Sequence, residues 1–592
     1  MEVLQYPIDS VYIINSKKKI KHQLEMESKP KIQKKIAILG GSTTQEIVNI
    51  LELFLLNNGI NPIFYQSEYN HYWQDGVFSN PELDTFDPDI IYIHTSHCNI
   101  ESYPVPFESK QDANDKLQVE FNRFKTMWES LQTRFACPVI QNNMERPCYR
   151  LMGNKDISAL DGKTNFISRL NQLFYAYSQN HSQFFIHDID YLASEYGLSR
   201  WHDPRAWYSY KYCLAINAIP EFAFSLANII KSIFGFNKKV ITLDLDNTLW
   251  GGVIGEDGRE GISIGPELPM GQIYSDFQYY LKQLKTIGIL LTIASKNDEC
   301  SAKEGFSHPD MILKMNDFVA HQINWNRKDM NIQQMANSLQ IGFESIVFVD
   351  DNPAERQIVS SHISNVDVVP YNDIENFIPY LDKSGFFETT IQTGEDQKRS
   401  EMYIENKTRQ DNLIQFANYQ DYLLSLNMTA TMSDFNAIDL QRIVQLTNKT
   451  NQFNLTTIRY TDGDMRKIVH SNKYIRICGR LKDKYGDNGI VSLMIAEKQN
   501  NSAHIILWLM SCRVLKRDME YAMMDTFVKR CKDESISQIY GEYIPTTKNT
   551  MTQYLYRDMG FELQEDLPKK TVWRLSVDSY QQKNKYIRIE HQ

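Results

Sequence analysis

A chain of 592 residues exceeds what one hydrophobic core organises, so two to four domains are expected. With 42% hydrophobic and 23% charged residues the composition is globular, and a formal charge of −10 gives no general attraction to nucleic acid or anionic lipid. The opening MEVLQYPIDSVYII lacks the layout of a secretory signal and no run of about 18 apolar residues predicts a membrane span. Eight scattered cysteines without a CxxC pair fit reduced thiols in a cytoplasmic protein.

Following a Lys-rich lead-in (1–34), KIAILGG (35–41) reads as a buried strand ending on glycines, and TTQEIVNILELFLL as the helix behind it. DIIYIHT (89–95), PVIQNN (138–143) and FFIHDID (184–190) are further strands between helical stretches, an open α/β alternation. A second alternation starts at KKVITLDLDNTLWGG (238–252), with strands at 289–294, 345–349 and 366–369 and helices near 272–287 and 331–339. The charged stretch 395–410 reads as a solvated helix or linker. Beyond it IRICGRLKD, GIVSLMIAEK and AHIILWLMSC have antiparallel spacing, and helices near 519–532 and 549–558 complete an α+β pattern. The boundaries expected are 1–34, 35–236, 237–394 and 395–592.

Four elements place polar chemistry at or just past predicted strands of the second block, where open α/β sheets bind ligands. Asp244 and Asp246, two apart on an extended segment, project carboxylates towards one ligand: a nucleophile for phosphorus and a general acid/base. Thr248 braces the turn. Ser295, ending ILLTIAS, offers a hydroxyl to a phosphoryl oxygen, and Lys328 a fixed cation for transition-state charge. Asp350 and Asp351, after SIVFV, supply oxygen ligands for Mg²⁺. A single DxD is weak evidence, but the ordered set points to Mg²⁺-dependent phosphoryl transfer. Lys328 comes only 33 positions after Ser295, too few for a large cap domain, which predicts an open site.

DLDNTLWGGVIGEDG, ASKND, NWNRKDMNI and VDDNPAER resemble the FkbH-like branch of the haloacid-dehalogenase (HAD) superfamily. The resemblance implies that Asp244 is the nucleophile and Asp246 the acid/base, with Asp244, Asp350 and the Asp246 carbonyl as protein ligands of Mg²⁺. Arg327 stands where that family has a neutral residue before the lysine. QLTNKTNQFNLTTIRY, DKYGDNGIVSLM and LMSCRVLKRDMEYAMMD extend the likeness, so the fold class implied is α/β multidomain. Its parts are an SGNH-hydrolase-like three-layer domain, a HAD-like Rossmannoid domain and a GNAT-like α+β domain.

For the GNAT-like part, the loop expected to cradle a coenzyme A pyrophosphate carries Lys516 and Asp518 at glycine-like positions, which argues against ordinary acetyl transfer. A phosphopantetheine arm of an acyl carrier protein is the implied alternative. Cys512, beside Arg513 and Lys516, is the implied acyl acceptor, against the plain reading of a buried structural cysteine. Asn297, Asn451, Asn454 and Arg513 are the candidate substrate contacts. The run 448–456 reads equally as a cap and turn segment, and Asp487–Asn488 as a hairpin turn.

In the SGNH-like part, Ser42 sits where a nucleophilic serine would, but GGS replaces GDS and His202 is adjacent to Asp203, so a docking role is favoured over esterase chemistry. Asn142 and Asn143 read either as oxyanion donors or as a strand terminus. The function implied is a phosphatase that forms a glyceryl thioester on a carrier protein from 1,3-bisphosphoglycerate. The alternatives are a phosphatase of surface-polysaccharide or secondary-metabolite assembly, and a scaffold without catalysis. The expected partners are a phosphorylated small molecule and a carrier protein, with neither nucleic acid nor membrane insertion.

Overall fold

The computed structural model describes residues 1–27, 31–413, 416–546 and 548–591. The chain forms two compact units. One comprises Met1–Phe234 with Glu388–Ile391 and Thr461–Lys467; the other comprises Gly235–Phe387, Gln392–Tyr460 and Ile468–Gln592.

The first unit is built on β1 (Ile32–Gly40), β2 (Ile60–Gln66), β3 (Ile90–His94), β4 (Val139–Asn142) and β5 (Phe184–His187), all parallel in the order β2-β1-β3-β4-β5. β3 and β4 are buried along their whole length, as strands covered on both faces must be. Helices Lys110–Arg134 and Lys163–Asn180 set Trp128 and Phe174 against Phe184 in the core. The lead-in is not a loose extension. Helix Ser10–Met26 buries Ile13, Ile20 and Leu24, and Lys17 and Lys21 pair with Glu46 and Glu52 of helix Gln45–Asn57. The edge strand β2, with exposed Asn61 and Ile63, was not foreseen because it carries a proline and no continuous apolar run.

The second unit holds two sheets. β6 (Val240–Leu243), β7 (Leu290–Ser295), β8 (Phe318–Ile323), β9 (Ile346–Val349) and β10 (Asp367–Val368) are parallel in the order β10-β9-β6-β7-β8. Helices Pro269–Thr286 and Lys328–Leu339 flank them. The other sheet contains β11 (Met428–Ser433), β12 (Phe453–Asn454), β13 (Tyr474–Asp483), β14 (Gly486–Gln499), β15 (Ser502–Met510), β16 (Gln538–Tyr543), β17 (Glu562–Leu567), β18 (Lys570–Ser576) and β19 (Ile587–His591). It is mixed, running β17-β18-β16-β15-β14-β13-β11-β19 with β12 added to β15. The protein is thus a multidomain α/β chain with two parallel Rossmann-like sheets and one mixed sheet.

Three local expectations change. The hairpin turn falls on Lys484–Tyr485, and Asp487 and Asn488 lie inside β14 beside a register shift. The helix expected at 549–558 shrinks to two short turns, Thr550–Thr552 and Leu555–Asp558. The charged segment 395–410 is helical over Gly394–Gln397 and Arg399–Leu413 but not simply solvated. Arg409 is 1% exposed and its guanidinium pairs with Asp483, which Arg517 grips from the other side at 3.0 Å. Charge pattern alone reads as solvent-facing; partners supplied by a distant hairpin and loop reverse it.

Candidate active site

The phosphoryl-transfer candidates converge where the second sheet's strands end. Asp244 follows β6, with its N–H donated to the Val349 carbonyl at the end of β9. The turn 245–248 is closed by Thr248 N–H donating to the Leu245 carbonyl, with Asn247 in the left-handed region at φ 52°, which Asn tolerates. Thr248 is fully buried, and its hydroxyl oxygen accepts from the Asp351 N–H at 3.3 Å, tying the β6 turn to the β9 turn. Ser295 ends β7, buried. Asn352 caps helix Pro353–His362 by accepting from Ala354 N–H, a proline-led start that sets the direction of the chain after Asp350–Asp351.

Lys328, the first residue of its helix and 2% exposed, lies 2.8 Å from Asp244 Oδ2 and 2.5 Å from Asp350 Oδ2. Burial opposes its charge, but the two carboxylates outweigh that and raise its pKa. Burial and the neighbouring Asp244 push the Asp350 carboxyl up to about 7 and raise Asp351 as well. Asp244, Asp350 and Asp351 each offer an oxygen within 4.8 Å of the others. Asp244 Oδ1 is buried with no hydrogen-bond partner. Three crowded carboxylates, one with an orphaned oxygen, fit a hard divalent cation with oxygen ligands such as Mg²⁺.

Asp246 is held apart from that cluster. Its Oδ1 accepts from Trp250 Nε1 at 2.9 Å and from Ile254 N–H at 3.0 Å, while Oδ2 accepts from Asn297 Nδ2 at 2.8 Å. Burial raises its pKa. Asn297, expected as a substrate contact, donates to this carboxyl and so helps to orient it. No motif announced that pairing, because it joins two strand-end loops 51 positions apart.

Cys512 opens a short turn, Cys512–Val514, after β15, partly exposed, with Tyr403 Oη 3.7 Å from its sulfur. It borders a cavity of about 320 Å³ that Lys239, Arg399, Arg442, Lys449, Asn451 and Arg513 also line. Burial lowers Lys239 to about 8 and Arg442 to about 9. Glu395 contacts Arg442 at 2.7 Å and Arg513 at 3.4 Å. The cations come from four separated segments, so sequence proximity could not reveal them. Asn454 does not line this cavity. Its amide donates to the Thr450 carbonyl and accepts from the Thr457 N–H, and it lies in β12, which pairs with β15. Lys516 and Asp518 do adopt glycine-like backbone, at φ 64° and 61°. Glu520, in the first helical turn beyond, is pushed up to about 7 by burial and by Asp518, a poor setting for a pyrophosphate.

In the first unit Ser42 is buried, and its hydroxyl donates to Cys213 Sγ at 3.5 Å; that sulfur lies 3.1 Å from His94 Nε2. His202 instead faces the Arg146 carbonyl, and Asp203 caps helix Pro204–Tyr210. Asn142 is consumed by bonds to the Thr95 backbone, and Asn143 by Tyr175 and Asp188, so both terminate a strand.

Residues 35–231 match the family model described as FkbH, N-terminal domain. A solved structure, the N-terminal part of protein BF1531 from Bacteroides fragilis, contains a phosphatase domain complexed with Mg. It is 29% identical with a TM-score of 0.59, and the match covers 63% of this chain and 99% of that one. The ribosomal-protein-S18-alanine N-acetyltransferase from Escherichia coli (10% identity, TM-score 0.21) is matched over 25% of this chain and 94% of its own. Spermidine N-acetyltransferase from Vibrio cholerae (14%, 0.22) is matched over 26% and 98%. Likeness at that level carries no argument. No curated protein matches the chain. Residues 35–231 therefore carry a domain of the FkbH N-terminal kind, and over 63% of its length the chain is similar to a structure that contains a phosphatase domain.

Proposed function

We propose that this chain is an FkbH-like, HAD-type, Mg²⁺-dependent phosphatase that works through a phosphoaspartate at Asp244. The observation that carries the reading is the buried Lys328 set between Asp244 and Asp350, with the second oxygen of Asp244 unpartnered. The Mg²⁺ in the BF1531 structure, held by a phosphatase-containing relative of 29% identity, supports the same metal here. Asp244, Asp350 and Asp351 would hold the ion, which supplies Lewis-acid charge for the phosphoryl oxygens.

Asp244 attacks phosphorus, and the bond to the leaving oxygen breaks as Asp246 delivers its proton. The same carboxylate then takes a proton from water, which hydrolyses the acyl phosphate. The raised pKa of Asp246 suits the donor role, and Lys328 stabilises the charge that builds on the oxygens.

The finer reading is that the substrate is an acyl phosphate carrying a phosphomonoester, 1,3-bisphosphoglycerate. The Cys512 thiolate would attack its acyl carbon, the acyl C–O bond breaking to release the 1-phosphate, and the acyl group would pass on to a carrier-protein thiol, while the phosphomonoester is the group that Asp244 removes. The cation-rich cavity bordered by Cys512 supports an anionic acyl donor there. Phosphate release from a panel of phosphorylated metabolites, with and without Mg²⁺, tests the phosphatase. Asp244→Asn should remove turnover by at least about 10³-fold. Metal-independent release, or release that survives the substitution, would sink the reading. Holo-carrier protein incubated with 1,3-bisphosphoglycerate tests the transfer.

A further inference from the structure

A second cluster of metal-ligating side chains lies in the first unit, built from groups that the phosphatase chemistry does not use. β3 ends at His94 and leads through Thr95 and Ser96 into the turn His97–Asn99, while β4 ends at Asn142, three residues before Glu145. His202 follows helix Leu198–Trp201. The three meet: His97, Glu145 and His202 each offer a ligand atom within 4.8 Å of the others.

Glu145 is 1% exposed. Its Oε1 is 2.7 Å from His97 Nδ1, and its Oε2 is buried with no hydrogen-bond partner. A buried carboxylate oxygen left in that state is costly and calls for a cation or donor. The two imidazoles sit edge to face, with centroids 5.2 Å apart. Each has its outer nitrogen engaged: His97 Nε2 lies 3.6 Å from Cys98 Sγ, and His202 Nε2 lies 3.1 Å from the Arg146 carbonyl. His202, donating Nε2–H to a carbonyl, carries its lone pair on Nδ1, the arrangement by which outer partners orient ligating histidines, whereas His97 Nδ1–H donates to the Glu145 carboxylate and must give up that proton to a metal.

We propose that His97, Glu145 and His202 form a site for a divalent transition metal, with Zn²⁺ as the ion their chemistry fits. Two imidazole nitrogens and one carboxylate oxygen are a borderline-soft donor set that suits Zn²⁺, whereas the all-oxygen set at Asp244, Asp350 and Asp351 suits Mg²⁺. Around Zn²⁺ with bonds of about 2.0 Å, ligand atoms stand about 3.3 Å apart, so the cluster must tighten slightly and the His97–Glu145 hydrogen bond open. Three protein ligands leave the fourth coordination position to water or another small ligand. His97 and Glu145 follow β3 and β4 of the sheet in which Ser42 follows β1.

The test uses the full-length protein stripped with a chelator and held in excess Mg²⁺, so that the oxygen cluster is occupied. Zn²⁺ binding is then measured by titration calorimetry and by metal analysis after gel filtration. The expected result is one Zn²⁺ per chain in wild type and in Asp350→Asn, with affinity reduced about 100-fold or more in Glu145→Gln and His202→Asn. No Zn²⁺ bound under Mg²⁺, binding lost in Asp350→Asn, or binding unchanged in His202→Asn would each overturn the proposal. Should Glu145→Gln fail to fold, Co²⁺-loaded wild type still decides. Intense visible bands of four- or five-coordinate Co²⁺ support the site, and only the weak spectrum of six-coordinate Co²⁺ rejects it.

Discussion

The sheet β2-β1-β3-β4-β5 and the sheet β10-β9-β6-β7-β8 are both five-stranded and parallel, and both crowd polar side chains where their strands end. They treat those side chains differently. At the second, Lys328 holds two carboxylates together, and Asp244 keeps an unpartnered oxygen. At the first, the Ser42 hydroxyl is spent on Cys213, Asn142 closes onto the Thr95 backbone, and burial holds His94 and His187 neutral, lowered to about 4 and about 3. Standing at a strand end therefore does not make a residue functional. What marks a site is charge gathered against its desolvation cost and left incompletely satisfied. By that measure the first sheet's candidate is the His97–Glu145–His202 cluster, and not Ser42.

Lys328→Met attacks the difference most directly. Phosphate release should fall by about 10²- to 10³-fold, while Mg²⁺ still binds the freed carboxylates. Loss of Mg²⁺ binding together with turnover would instead make the lysine a structural pin.

Next in size is a pH effect. The Asp350 carboxyl is pushed up to about 7 in the folded, metal-free protein, above its unfolded value of about 3.9. Its contribution to stability is therefore fully present below about pH 4 and lost as pH rises through about 7. Mg²⁺ competes with that proton, so its affinity should weaken by about tenfold for each unit below pH 7, read by calorimetry. An affinity flat between pH 5.5 and 8 would contradict the assignment.

Asn297→Ala removes a donor from Asp246, raising that carboxyl further. Turnover should drop by about three- to tenfold, and the limb of the pH–rate profile set by Asp246 should move to higher pH. A loss of rate with an unmoved profile would mean that Asn297 only supports the loop.

The smallest effect is expected for Ser42→Ala, which should leave phosphate release unchanged and shift stability by no more than about 1 kcal/mol. Reduced phosphatase turnover in that variant would erase the contrast between the two strand-end regions.

Much of the candidate phosphoryl-transfer site was legible because its parts follow strands closely. Asp244 and Asp350 come one residue after β6 and β9, and Ser295 is the last residue of β7, so hydrophobic runs locate them. β2 and β8 escaped notice because each mixes polar residues into a short run, the signature of strands near a sheet edge. The hydrogen bond from Asn297 to Asp246 was not legible, since hydrogen-bond satisfaction depends on what another loop brings near.

By itself the amino-acid sequence determined the two α/β alternations, the carboxylate and lysine set for phosphoryl transfer, and the absence of any long apolar span. These are local patterns, written in periodicity and in residue type at a strand end. Tertiary structure alone decided that the charged helix Arg399–Leu413 buries Arg409 against Asp483, that six cavity-lining groups gather beside Cys512, and that His97, Glu145 and His202 meet. Those outcomes join residues tens to hundreds of positions apart. Burial and pairing are properties of the packed chain, and no single segment carries the information about its partner.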